Sequence, residues 1–186
     1  MTEQALELLK YPIGKFIKPD TINSKLISKW ISDIEDSPRS ISALVDGLSV
    51  EELNYPYRPD GWNIKQVVHH CADSHMNAFI RFKLALTEDS PTIRPYFEDR
   101  WARLIDGTDD DLTDSLSLLK GLHAKLGKLL RNISENELSR EFVHPEHAKH
   151  FRIDEAIGMY AWHGNHHLAH IGQALRFAGE FKNLTF

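Results

Sequence analysis

The chain has 186 residues, 41% of them apolar and 26% charged, with a net charge of −5 and no Lys/Arg run longer than two. That length suits one core-bearing domain covering 1–186. The acidic balance argues against a nucleic-acid partner, and no apolar stretch approaches the ~20 residues of a membrane span.

The opening MTEQALELLKYPIG carries acids and lacks a basic region followed by a long apolar run, so it does not read as a signal peptide. A single cysteine, Cys71, forms no internal disulfide, which fits a cytoplasmic location. After this irregular N-terminal segment, apolar periodicity predicts a helix from about Asn23 to Gly47, carrying Leu26, Trp30, Ile31 and Ile34, with Pro38 expected to interrupt it. The turn RPDG opens a second helix from about Trp62 to Glu88. A loop from Asp89 to Glu98, with Pro91 and Pro95, is placed to cover one end of the fold. Leu116, Leu119, Leu122, Leu126, Leu129 and Ile133 mark a third helix over about Leu112 to Ile133. The segment Ser139 to Arg152 reads as an irregular connection, and its His144, His147 and His150 as a polar surface cluster. The fourth helix runs from about Ile153 to Gly179, where glycine ends it.

Two connections share a form. LSVEEL (48–53) and ISENEL (133–138) each offer a serine N-cap and a glutamate three residues later, the pattern of a capping box. Strand-length alternation is nearly absent. The expectation is an all-α four-helix bundle with long inter-helix loops.

Eleven histidines, four of them in AWHGNHHLAH (161–170), are the unusual feature. With His163 set to zero and ~100° per residue, His167 falls at about +40°, His170 at about −20° and His166 at about −60°. The apolar stripe of Ala156, Ile157, Tyr160, Ile171, Ala174 and Leu175 contains His167 and has His163 at its edge, while His166 points away. Histidines at i, i+4 present two imidazoles to one ion, as in HExxH helices, but no glutamate follows the first histidine, so the peptidase reading fails. On the second helix His69 lies opposite the apolar stripe and is expected in solvent. His70 lies at the stripe's edge in line with Asn63, Ser74, Asn77 and Arg81, and His75 lies inside it. Periodicity leaves the choice between His70 and His75 open.

GWNIKQVVHHCADSHMNAFIRFKLALTEDSPTIRPY together with YAWHGNHHLAHI resembles the YfiT branch of the DinB superfamily of helical-bundle metalloproteins, over almost the whole chain. The resemblance implies His70, His163 and His167 as the ligands of one divalent ion. It also implies a homodimer. Gly164-Asn165 between the late histidines, and Phe97 after RPY, depart from what that branch leads one to expect.

Three neutral imidazoles leave a divalent ion its full charge and an open position, the arrangement of catalytic rather than closed structural zinc. Such an ion activates water or a thiol near neutral pH. Zinc and nickel both suit imidazole. The resemblance implies two chemistries: S-transfer from a bacillithiol-like low-molecular-weight thiol to a small electrophile, or hydrolysis. A third reading is a non-catalytic metal-binding stress protein. Asp73 and Asn77 are candidates to orient the ligand rings, and Arg81, on the face of His70, to meet an anionic group of thiol or substrate.

Overall fold

The computed structural model describes residues 2–146 and 149–181, and its elements begin where the capping residues stand. Helix α1 (Glu3–Lys10) starts at Thr2, whose hydroxyl accepts the Ala5 N–H. Helix α2 (Ser24–Val45) starts at Asn23, whose side chain accepts from Leu26. Ser49 and Glu52 form the expected capping box, but on a single turn, α3 (Val50–Leu53). Asn63 and Gln66 close another at the start of α4 (Ile64–Thr87). Two turns after this fixed start come the first histidines.

The turn α5 (Glu98–Trp101) precedes α6 (Thr113–Leu130), and the Ser134–Glu137 box opens the one-turn α7 (Glu135–Leu138). The last long helix, α8 (Ile153–Phe177), stops where Ala178 and then Gly179 take positive φ, at 47° and 74°. Glycine makes that left-handed turn without strain.

Two expectations are corrected. Pro38 does not interrupt α2, which runs through it. The missing N–H leaves the Ile34 carbonyl, four residues back, without its helical donor, and another group takes that carbonyl, as shown below. The Ser139–Arg152 connection is an antiparallel hairpin, β1 (Glu141–His144) with β2 (Lys149–Arg152), pairing Phe142 with Phe151. Four-residue strands are too short to announce an alternation. The hairpin is held by its surroundings: Val143 exchanges main-chain hydrogen bonds with Pro91 and Ile93, and Arg140 donates to the carbonyls of Ala85 and Glu88 at the end of α4. The 89–98 loop is thereby stitched to β1. His144 and His150 lie on these strands, and His147 falls outside the described residues.

The four long helices form a bundle in which α2 packs between α6 and α8, and α4 also packs between α6 and α8. Helices α2 and α4 therefore sit on one diagonal and α6 and α8 on the other, while α4 packs directly on α6. No described helix is long and apolar enough to cross a membrane.

The core is in two parts. One apolar cluster gathers Ile31, Ile34, Ala78, Phe82, Leu126, Leu130, Phe142 and Ile157. The other gathers Ile41, Val45, Val67, Val68, Cys71, Leu119, Ile171 and Ala174. Between them, at the corresponding level of each helix, lie Ser37, Ser74, His75, His123, His163, His166 and His167, all buried or nearly so. Small residues let α8 reach this layer: a Cβ at Gly158 would stand 2.8 Å from the Trp30 ring, and one at Gly164 would stand 3.0 Å from Ser37 Oγ.

Candidate metal centre

His70 projects from α4 and His163 and His167 from adjacent turns of α8. One nitrogen from each ring lies within 4.8 Å of the others. The Nε2 atoms of His70 and His163 are 3.3 Å apart. Two nitrogens bound to one tetrahedral zinc, at the usual Zn–N distance, would be about 3.3–3.4 Å apart, so the spacing of this pair fits an ion. Among the described residues this cluster contains no carboxylate and no thiolate.

The surroundings keep the rings neutral. Burial, more than any neighbour, pushes the His70 pKa down to about 4 and those of His163 and His167 well below the ordinary imidazole value. Neutral imidazole is the form that coordinates a metal. The Trp62 ring walls the site, 4.6 Å from His70 and 6.5 Å from His167 between centroids.

Behind the cluster the contacts are made by other histidines. His163 Nδ1 is 3.0 Å from His75 Nε2, and His75 Nδ1 is 2.6 Å from His123 Nε2. His123 Nδ1 in turn lies 2.6 Å from the Ile34 carbonyl. His167 Nδ1 is 3.3 Å from His170 Nδ1, and His170 Nε2 is 3.0 Å from the Lys10 carbonyl. Asp73 and Asn77 show no hydrogen bond to these rings. Asn77 donates to the Asp73 carbonyl on its own helix. Asp73 is raised to about 6, chiefly by burial and then by Asp106, with His69 opposing.

Arg81 donates to the Tyr160 hydroxyl at 2.9 Å, while its Nε is buried without a partner. The Tyr160 ring is 6.2 Å from that of His163. Ser74 Oγ stands 3.4 Å from His163 Nε2. Tyr96, from the loop after α4, brings its hydroxyl toward Ser74 and Arg81; burial raises its pKa well above the ordinary phenol value. Ser74, Tyr96, Tyr160 and Arg81 thus make a polar wall beside the histidines. Periodicity had placed Tyr160 only in an apolar stripe and gave no signal for Tyr96.

His69, expected in solvent, is covered, and so are His166 and His170. His69 is buried: its Nε2–H donates to the Asp109 carbonyl and its Nδ1 accepts from Ser115. His166 is sandwiched between Trp162 and Tyr11. His170 is stacked on Tyr57 with centroids 3.8 Å apart. Cys71 is fully buried and its thiol is pushed up to about 12, which makes it inert at neutral pH.

The family described as the DinB superfamily matches residues 33–171. The chain is 42% identical over 171 residues to the Bacillus subtilis protein named "Putative metal-dependent hydrolase YfiT", covering 92% of this chain and 96% of that one. It is 49% identical over 162 residues to an Oceanobacillus iheyensis protein given the same functional name, covering 87% and 93%. The solved structure of Bacillus subtilis YfiT, described as "a probable metal-dependent hydrolase with an unusual four-helix bundle topology", superposes with a TM-score of 0.89 over 92% of this chain and 98% of that one. A bundle with α2 and α4 on one diagonal and α6 and α8 on the other, a histidine layer at mid-height and likeness of this extent place the chain in the DinB superfamily, in its YfiT branch.

Proposed function

We propose that His70, His163 and His167 hold one divalent ion, zinc or nickel, and that the protein is an enzyme transferring a low-molecular-weight thiol of the bacillithiol type to a small electrophile. When bound, the ion supplies an open position at which a thiol loses its proton near neutral pH. The observation carrying this reading is three neutral nitrogens converging from two helices in a cluster without a carboxylate. A water nucleophile is commonly served by a carboxylate base, whereas a thiol, being far more acidic than water, needs none.

The chain's own residues do the rest. Trp62 excludes solvent on one side. Arg81, with its partnerless Nε, meets an anionic group of the thiol or the acceptor. The Ser74 hydroxyl, 3.4 Å from His163 Nε2, takes up the thiol's proton by hydrogen bonding and passes it on. The sulfur then bonds to the acceptor carbon as the leaving group departs with its electron pair.

Hydrolysis is the second reading, favoured by the names of the relatives. Elemental analysis of purified protein, followed by a screen of thiols against an electrophile and of esters and amides without thiol, separates the two. Conjugate formed only with metal and thiol supports transfer. Ester or amide cleavage without thiol supports hydrolysis. Bound metal with no turnover identifies a metal-binding protein, and absence of metal refutes the site.

A further inference from the structure

The contacts behind the cluster form two lines, each ending on a main-chain carbonyl, and a carbonyl can only accept. That ending sets every proton in the line. The Ile34 carbonyl requires His123 to carry its proton on Nδ1, which leaves His123 Nε2 as an acceptor. His75 must then donate from Nδ1 to His123, leaving its own Nε2 to accept from His163. His163 is left with Nδ1–H behind it and a bare Nε2 lone pair facing His70. A single tautomer satisfies every contact. It is the tautomer that coordinates a metal through Nε2.

The carbonyl at the far end has a reason to be free. Ile34 would ordinarily accept the N–H of residue 38, and residue 38 is proline. The line therefore passes from α8 through α4 and α6 to α2, touching all four long helices.

We infer that His75 and His123 are positioning residues, that they lock His163 in the Nδ1–H form and aim its Nε2 at the ion, and that Pro38 supplies the acceptor on which they rest. Metal-bound histidines usually pass their second N–H to a carboxylate, a carbonyl or water. Here two further imidazoles carry the contact to a carbonyl out of direct reach. The inference rests on the three-histidine reading of the site.

The test combines imidazole ¹⁵N NMR with zinc affinity measured by competition against a chromophoric chelator. In the wild-type protein, both zinc-free and zinc-loaded, His163 is expected to carry its proton on Nδ1. His75→Leu is expected to lower zinc affinity about 10–100-fold, the range for loss of such a contact, and to abolish the single His163 tautomer. His75→Gln, whose amide oxygen can accept from His163, should recover affinity to within a few-fold of wild type. Packing alone would not separate leucine from glutamine in that order.

A wild-type His163 protonated on Nε2, or a folded His75→Leu protein with unchanged tautomer and affinity, overturns the inference. If His75→Leu does not fold, the wild-type tautomer and His75→Gln still decide. A wild-type protein that binds no zinc would refute the ligand assignment, while the zinc-free NMR spectrum would still report on the line itself.

Discussion

The line behind His163 and the line behind His167 use the same chemistry on different foundations. The first runs through the middle of the bundle, and its two supporting rings are enclosed by long helices. The second runs outward in one step to His170 and ends on Lys10, the last residue of the short α1. That outer support belongs to an N-terminal segment whose Ala5 and Leu9 are buried and which is tied to α8 by Gln173 on the Leu9 carbonyl, Trp162 on the Gly14 carbonyl, and the Tyr11 ring on His166. The inner line inherits the rigidity of the core. The outer line depends on the docking of one short N-terminal segment, and opening of that segment alone would release it.

This contrast ranks the expected effects. The largest belongs to the three rings at the cluster that the two lines support. Replacing His70, His163 or His167 by alanine is expected to remove most bound metal, lowering affinity more than 100-fold by the chelator competition. Such a loss exceeds that from any supporting histidine.

Next comes acid sensitivity of the metal-free protein. His70 and His166 are held at about 4 and His170 at about 3 in the fold, against ~6.5 when unfolded. The unfolded chain therefore binds these protons first as pH falls. Stability is full above about pH 6.5 and declines between about 6.5 and 4. His70 alone withdraws on the order of 3 kcal/mol across that window. Urea unfolding at pH 7.5 and pH 5 measures it, and equal midpoints would contradict the burial of these rings.

The smallest effect is expected at the outer support. His170→Leu should weaken zinc binding less than His75→Leu, by under about tenfold, because the His167–His170 contact is the longer, at 3.3 Å against 3.0 Å between His163 and His75. Equal losses from the two variants would erase the distinction between the lines.

Much of this was legible in the chain. The i, i+4 spacing put His163 and His167 on one face, but on the other long helix periodicity left His70 and His75 open, and only the family resemblance chose His70. Both serine capping boxes were legible, but not that each opens a helix of a single turn. The failures share a cause. Periodicity assumes one buried face per helix, but α4 is covered on the His69 side by the 109–115 segment, and α8 on the His166 side by Tyr11 and Trp162. A histidine counted as solvated was thus under a second cover. Pro38 reads as a break because the group that replaces its missing N–H at the Ile34 carbonyl, His123, lies 89 positions along the chain from Ile34. Only tertiary contact turns a backbone defect into an acceptor. The hairpin escaped notice because neighbouring main chain holds its two short strands in place.

The division of the interior by a stratum of imidazoles has a consequence for how the molecule comes apart. Greasy packing above and below this level is continuous within each half, but across it the halves communicate through directional bonds between rings. Emptied of its cation, the protein should loosen at this waist. Loaded, it gains a cross-tie between α4 and α8 whose strength grows with the logarithm of free metal. Amide exchange near residues 70–75 and 163–167 would therefore track metal supply more closely than exchange at either pole.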